Sequence, residues 1–151
     1  MTDSVVVHEV ATLLGGLKTL HREPKTALDA HEMILSGLPR TSFLYLTSNF
    51  SAIKMDAALE TALGMSLRTL QRQKKNLEGT LSREQSGRTW KFAEILAKAS
   101  AVFGSRHEAE RWIEQPAIGL DQRRPIDLLA TPAGTELVED YLTRLEYGVY
   151  G

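Results

Sequence analysis

The residues of this chain best equipped for chemistry lie between Leu59 and Lys75. An apolar-patterned stretch ends at Leu63, Gly64 follows, and the stretch beyond carries Arg68, Arg72, Lys74 and Lys75 with no acid. A guanidinium can bridge the O6 and N7 acceptors of guanine, a carboxamide such as that of Gln71 can pair with adenine, and Ser, Thr and Lys side chains commonly fix phosphates. Ser66, Arg68, Thr69, Gln71, Arg72, Lys74 and Lys75 are therefore candidates for contacting double-stranded DNA.

Such contacts need two helices meeting at a fixed angle, a turn residue tolerant of positive φ, and apolar residues on the faces between the helices. Gly64 meets the first need of the turn, and Leu59, Leu63, Met65 and Leu70 supply the apolar faces. Glu60 stands where a small residue would pack best and is expected to point outward. Ser66 is a good N-cap for the second helix, because its hydroxyl can accept from an amide two or three residues on. A solvated basic helix is the plain alternative, and the cations alone favour it. With the glycine turn and the matched apolar positions present together, a helix-turn-helix is the better reading.

The elements around this module read as almost entirely helical. Val6, Val7, Val10, Leu13 and Leu14 repeat at helical spacing before Gly15-Gly16, whereas Leu17 to Thr26, with Pro24, reads as an extended connection with a short strand at Leu17 to Leu20. A short helix follows from Ala27 to Leu35, and a helical pattern from Pro39 leads through Phe50 and Ile53 into the helix that ends at Leu63. Ser82-Arg-Glu-Gln85 has capping-box form and opens the longest helix, with Phe92, Ile95, Leu96, Ala99 and Phe103 on one face up to Gly104. Ser105-Arg-His-Glu108 repeats that form, residues 116 to 125 read as a loop, and Pro125 to Leu129 suggests a helical turn. Thr131-Pro132 starts a last helix that runs to Gly148.

The net charge of −1 conceals a division. Residues 66 to 103 hold eight Lys and Arg against three acids, while residues 104 to 151 hold five against nine. An acidic block would repel a polyanion, so the two blocks are expected to face different partners. In the tail, Tyr147 and Tyr150 flank Gly148 near Gly151, and tyrosines there are common interface anchors. A tail folded back on its own core is an equal alternative from composition alone. The absence of an apolar run of 18 residues and the acid in Met1-Thr-Asp-Ser argue against a membrane span and a secretion signal, and the chain reads as cytoplasmic.

Catalytic chemistry is poorly supported. His31-Glu32 begins the pattern His-Glu-x-x-His, but Leu35 occupies the position of the second metal ligand. His8, His21 and His107 have no partner at ligand spacing, no phosphate-cradling glycine motif is present, and zero cysteines exclude thiolate chemistry. No pair of carboxylates sits in an apolar stretch that would drive their pKa values apart. No enzyme activity, metal or cofactor is expected.

With Ser66-Leu-Arg-Thr-Leu-Gln-Arg-Gln-Lys74, Arg88-Thr-Trp90, Ala109-Glu-Arg-Trp112, Pro125-Ile-Asp-Leu-Leu129 and Glu146-Tyr-Gly-Val-Tyr150 in view, the chain from about residue 5 resembles the Xre, ParS and MbcA antitoxins. It looks most like the Xre partner of RES-domain toxins. The resemblance implies an all-α protein with a dimerising N-terminal region at 1–49, a helix-turn-helix region at 50–103 that binds the operon's own promoter, and a toxin-binding region at 104–151. It implies a homodimer, a higher hetero-oligomer with toxin, and neutralisation of an NAD-degrading enzyme by occlusion of its active site. Arg144, Tyr147, Gly148, Tyr150 and Gly151 are the candidate toxin contacts. Two departures stand out: Tyr147 replaces a histidine of many relatives, and Asn49 to Met55 does not follow the family's usual short turn. The alternative class is a stand-alone regulator whose tail senses a ligand or dimerises, and a third is an adaptor that binds protein only.

Overall fold

Side-chain caps fix where most of the helices begin. Thr2, Thr26, Asp56, Ser66, Ser82, Ser105 and Thr131 each accept from a backbone amide of the first turn that follows. Each thereby satisfies one of the donors that a helix start leaves without an internal acceptor. The computed structural model describes residues 2–148, apart from the side chains of Leu67, Leu70 and Gln73.

Within these residues the helices are α1 (Asp3–Leu13), α2 (Leu17–Leu20), α3 (Ala27–Ser36), α4 (Arg40–Ser48) and α5 (Ala57–Leu63). They continue as α6 (Leu67–Lys75), α7 (Arg83–Phe103), α8 (Arg106–Ile113), α9 (Pro125–Leu128) and α10 (Pro132–Glu146). A 3-10 turn occupies Ile118–Leu120. Among the described residues the extended pairing consists of isolated bridges between Pro39 and Thr80 and between Ala117 and Arg123. The fold is all-α, as the sequence pattern predicts.

α7 is the axle. Its 21 residues span about 31 Å. The helices α1, α3, α5, α8 and α10 all pack on it. Phe92, Ile95 and Leu96 are fully buried on α7, and one continuous hydrophobic core joins them to Val10, Phe43, Leu59, Ile113, Ile126 and Leu142. Its start is a complete capping box, in which Ser82 Oγ accepts from Gln85 N and Gln85 Oε1 accepts from Ser82 N, both at 3.1 Å.

α10 is tied to α7 by charge as well as apolar contact. Lys98 Nζ lies 3.0 Å from one oxygen of Glu139, Lys91 Nζ lies 3.3 Å from the other, and Glu94 approaches both lysines at 3.3 Å. Burial alone would raise the Glu139 carboxyl, but the hydrogen bond from Lys98 and the charges of Lys91 and Lys98 outweigh it and hold the group below the usual carboxylate range. Burial would likewise lower Lys98, and the Glu139 and Glu94 carboxylates reverse that and raise it.

Three local expectations change. Leu17–Leu20 is a helical turn and not a strand: Gly16 C=O accepts from Thr19 N and Leu20 N at 3.2 and 3.0 Å, and buried Leu20 packs toward α4. A strand there would have had no neighbour to take its backbone groups. The helical pattern through Phe50 and Ile53 is interrupted, since α4 stops at Ser48 and α5 starts only at Ala57. Ile53 is buried all the same, and Phe50 meets Phe92 at a ring separation of 5.7 Å, so their apolar spacing serves a loop. At α8 only the serine half of the capping box forms, because the Glu108 carboxylate turns to Arg111 at 3.4 Å.

Candidate functional site

The turn at Gly64 is fixed by two constraints. Its φ of +68° lies in the left-handed region, which a Cβ disfavours. A Cβ built there would also sit 2.6 Å from Arg88 Cδ. Arg88 crosses this point to donate from Nη1 to Thr61 C=O at 2.9 Å, with Glu84 3.7 Å from its Nε. Arg88 therefore closes the C-terminal end of α5 with a charge-assisted hydrogen bond and braces the turn. Leu59, Ala62, Leu63 and Met65 are buried behind it, and Glu60 is half-buried, not fully outward. Leu70, the fourth apolar position, is among the side chains outside the description.

Ser66 starts α6, accepting from Thr69 N at 3.1 Å and meeting the Thr69 hydroxyl at 3.0 Å. Arg68, Gln71, Arg72, Lys74 and Lys75 are exposed, Ser66 is exposed, and Thr69 is half-buried. Arg72, Lys74 and Lys75 fall in the last turn, where the negative end of the helix dipole favours cations. The structure thus places all seven candidate residues on one short, solvent-facing element.

A group the sequence reading missed holds the connection that leads into α5. Glu110 on α8 is 0% exposed. Its Oε1 accepts from Ser51 N at 2.7 Å and from Ala52 N at 2.9 Å, and its Oε2 accepts from Arg106 Nε at 3.1 Å. Arg106 Nη2 reaches Leu46 C=O at 3.3 Å, and the Ser51 hydroxyl meets His107 Nδ1 at 2.9 Å. One carboxylate and its neighbours therefore anchor the connection between α4 and α5. The only sequence signal was the departure of Asn49 to Met55 from a short turn, which required some other means of satisfying its backbone.

The acidic half also reaches the same connection through Glu114, whose Oε1 accepts from Lys54 N at 3.4 Å. Its other oxygen lies 3.6 Å from Arg124, which pairs with both oxygens of Asp127 at 3.0 Å. α9 packs directly on α5.

The candidate contacts at the far end do not form one cluster. Arg144 is half-buried with its guanidinium 5.9 Å over the Tyr141 ring, at the end of a run of rings through Trp112 to Phe103. It borders a hollow of about 280 Å³ with Gly119, Arg123 and Leu137. Tyr147 is 74% exposed and borders a different hollow, about 520 Å³, shared with Asp3, His31, Trp90 and Lys98. Gly148 is exposed with φ +72°. Tyr150 and Gly151 lie outside the described residues. Among the described residues no three His, Asp or Glu side chains gather to hold a metal ion, and no helix is long and apolar enough to cross a membrane.

Comparison with known proteins matches two stretches of the sequence to family descriptions. Residues 55–94 match the antitoxin Xre-like helix-turn-helix domain, and residues 98–148 match the antitoxin Xre/MbcA/ParS C-terminal toxin-binding domain. A protein of Pseudomonas putida named antitoxin Xre is 30% identical over 148 residues, covering 95% of this chain and 86% of that protein. Another of that name, from Yersinia enterocolitica, is 34% identical over 95 residues, covering 62% of this chain and 64% of its own length.

Proposed function

The chain belongs to the Xre antitoxin family, and from that premise we propose that it neutralises a RES-domain, NAD-degrading toxin by occluding its active site while repressing its own operon. As an Xre-family antitoxin with a helix-turn-helix domain it acts by binding and not by catalysis. The observation that carries the reading is the union, in one folded chain, of an acid-free basic helix on a braced glycine turn with a matched toxin-binding segment. The exposed Tyr147 ring at the end of α10 supports a docking role for the tail, because a large aromatic left in water is an available anchor. Residues 1–49 dimerise in this reading, 50–103 hold operator DNA, and 104–151 hold toxin. A palindromic operator suits a two-fold homodimer.

Two measurements test it. Deleting residues 147–151 leaves the buried Leu142 in place, so the shortened chain should fold yet lose inhibition of NAD consumption by the enzyme of the adjacent reading frame. Full inhibition by that chain would remove the occlusion mechanism. For DNA, ~6 to 10 phosphate contacts should weaken promoter binding by about 10³ to 10⁵ between 50 and 200 mM salt. A flat response would favour a protein-only adaptor, and operator binding with no toxin partner would favour a stand-alone regulator.

A further inference from the structure

A cleft of about 360 Å³ opens beside α6, lined by Arg40, Thr69, Arg72 and Asn76. Arg40 begins α4, outside the stretch matched to the helix-turn-helix description. Its backbone N–H donates to Gly79 C=O at 3.1 Å, and its Nη1 donates to Glu78 C=O at 3.1 Å. The Asn76 carboxamide, turned so that its oxygen faces Arg40, accepts from the same Nη1 at 3.0 Å. The guanidinium is thus held in place by the turn that follows α6. Its Nε is enclosed and meets no acceptor among the described residues.

Thr69, Arg72 and Asn76 recur at i, i+3 and i+7, which puts them on one side of α6 toward Arg40. No acid is among the residues lining the cleft. Two guanidinium groups and a hydroxyl around a small hollow free of acids are a donor set that can recognise a phosphate.

We propose that this cleft grips one phosphodiester group of the DNA backbone, with Arg40 and Arg72 as the paired cations. The proposal rests on the DNA-binding reading above and deepens it. Arg72 is moved from base reading to backbone positioning, Arg40 is added from another helix, and Arg68 with Gln71 is left to face base edges.

The test uses the full chain carrying Arg40→Gln, Arg72→Gln or Arg68→Gln, each titrated with a promoter duplex and a scrambled duplex over a range of salt. Arg40→Gln and Arg72→Gln should weaken both duplexes alike, roughly ten- to a hundredfold at low salt, and lower the salt slope by about 1. Arg68→Gln should lose chiefly the preference for the promoter. Because Arg40 also holds the 78–79 turn, a second measurement separates grip from folding. Duplexes with a single uncharged methylphosphonate should include one position that weakens the wild type and adds nothing to Arg40→Gln. Wild-type affinity and slope in Arg40→Gln, or no such position, overturns the proposal. Saturable binding of inorganic phosphate that Arg40→Gln abolishes, with DNA affinity unchanged, assigns the cleft to free phosphate and overturns it too. Failure of the wild type to bind either duplex is the separate result that removes the DNA reading itself.

Discussion

At Gly64 and Gly134 the missing Cβ matters for different reasons, and the difference is measurable. Gly64→Ala meets a positive φ and the flexible stem of Arg88, which can swing aside at the expense of its bond to Thr61. The cost should be about 1 to 2 kcal/mol in denaturant unfolding, with a larger proportional loss of promoter binding because the turn re-aims α6. At Gly134 a Cβ would overlap the Leu128 carbonyl oxygen, a backbone atom that cannot swing away. Gly134→Ala should therefore destabilise more than Gly64→Ala, and equal midpoints would contradict this account. Glu110→Ala removes the acceptor of Ser51 N and Ala52 N and leaves Arg106 without its carboxylate. Because Arg106 is 28% exposed, the cost should fall below that of a fully buried pair, at about 2 to 3 kcal/mol, chiefly from the amides left without an acceptor. Glu110→Gln, which keeps an acceptor oxygen, should recover part of that in the same urea titration.

Among the elements, α6 has nine residues, too few to be stable as an isolated helix in water. Its order depends on the Ser66 cap and on packing, so Ser66→Ala should cost about 1 kcal/mol locally. Hydrogen exchange should show faster amides across α6 while α7 stays protected; unchanged α6 protection would deny the cap this role. The α7–α10 clamp gives a pH dependence with a definite sign. Glu139 is depressed in the folded chain, so its contribution is complete above the ordinary carboxylate pKa of 4.5 and is lost as pH falls through the lowered value. Lys98 is raised, so its share is complete below its ordinary value of 10.5 and is lost as pH climbs past the raised value. Glu139→Gln should lower stability by ~1 kcal/mol at neutral pH, a figure kept small by the partial exposure of the cluster. The gap to wild type should close in acid; a gap that persists at low pH would mean the substitution acts through packing alone.

Across the whole molecule one core runs from Val10 on α1 through α7 to Leu142 on α10. Calorimetry should accordingly give a single cooperative transition, and two separable ones would show that the basic and acidic halves are less dependent on each other than their packing implies. Much of this molecule was legible in its sequence where the governing forces are local. Ser66, Ser82 and Thr131 cap helices through bonds to amides three residues away, Gly64 supplies its own φ, and the periodicity of α7 declares its buried face. The acid-free charge of α6 was equally visible, as was the family likeness. Leu17–Leu20 and the Glu108 half of the α8 capping box were misread because a four-residue turn and a half-formed capping box are decided by which neighbour takes each polar group. Only the tertiary structure could set Glu110 against Ser51, 59 positions away, bring Arg40 to the side of α6, and part Arg144 from Tyr147. A sequence records which groups need partners, but the choice among distant partners is made by packing, since burial raises the cost of any polar group left without one.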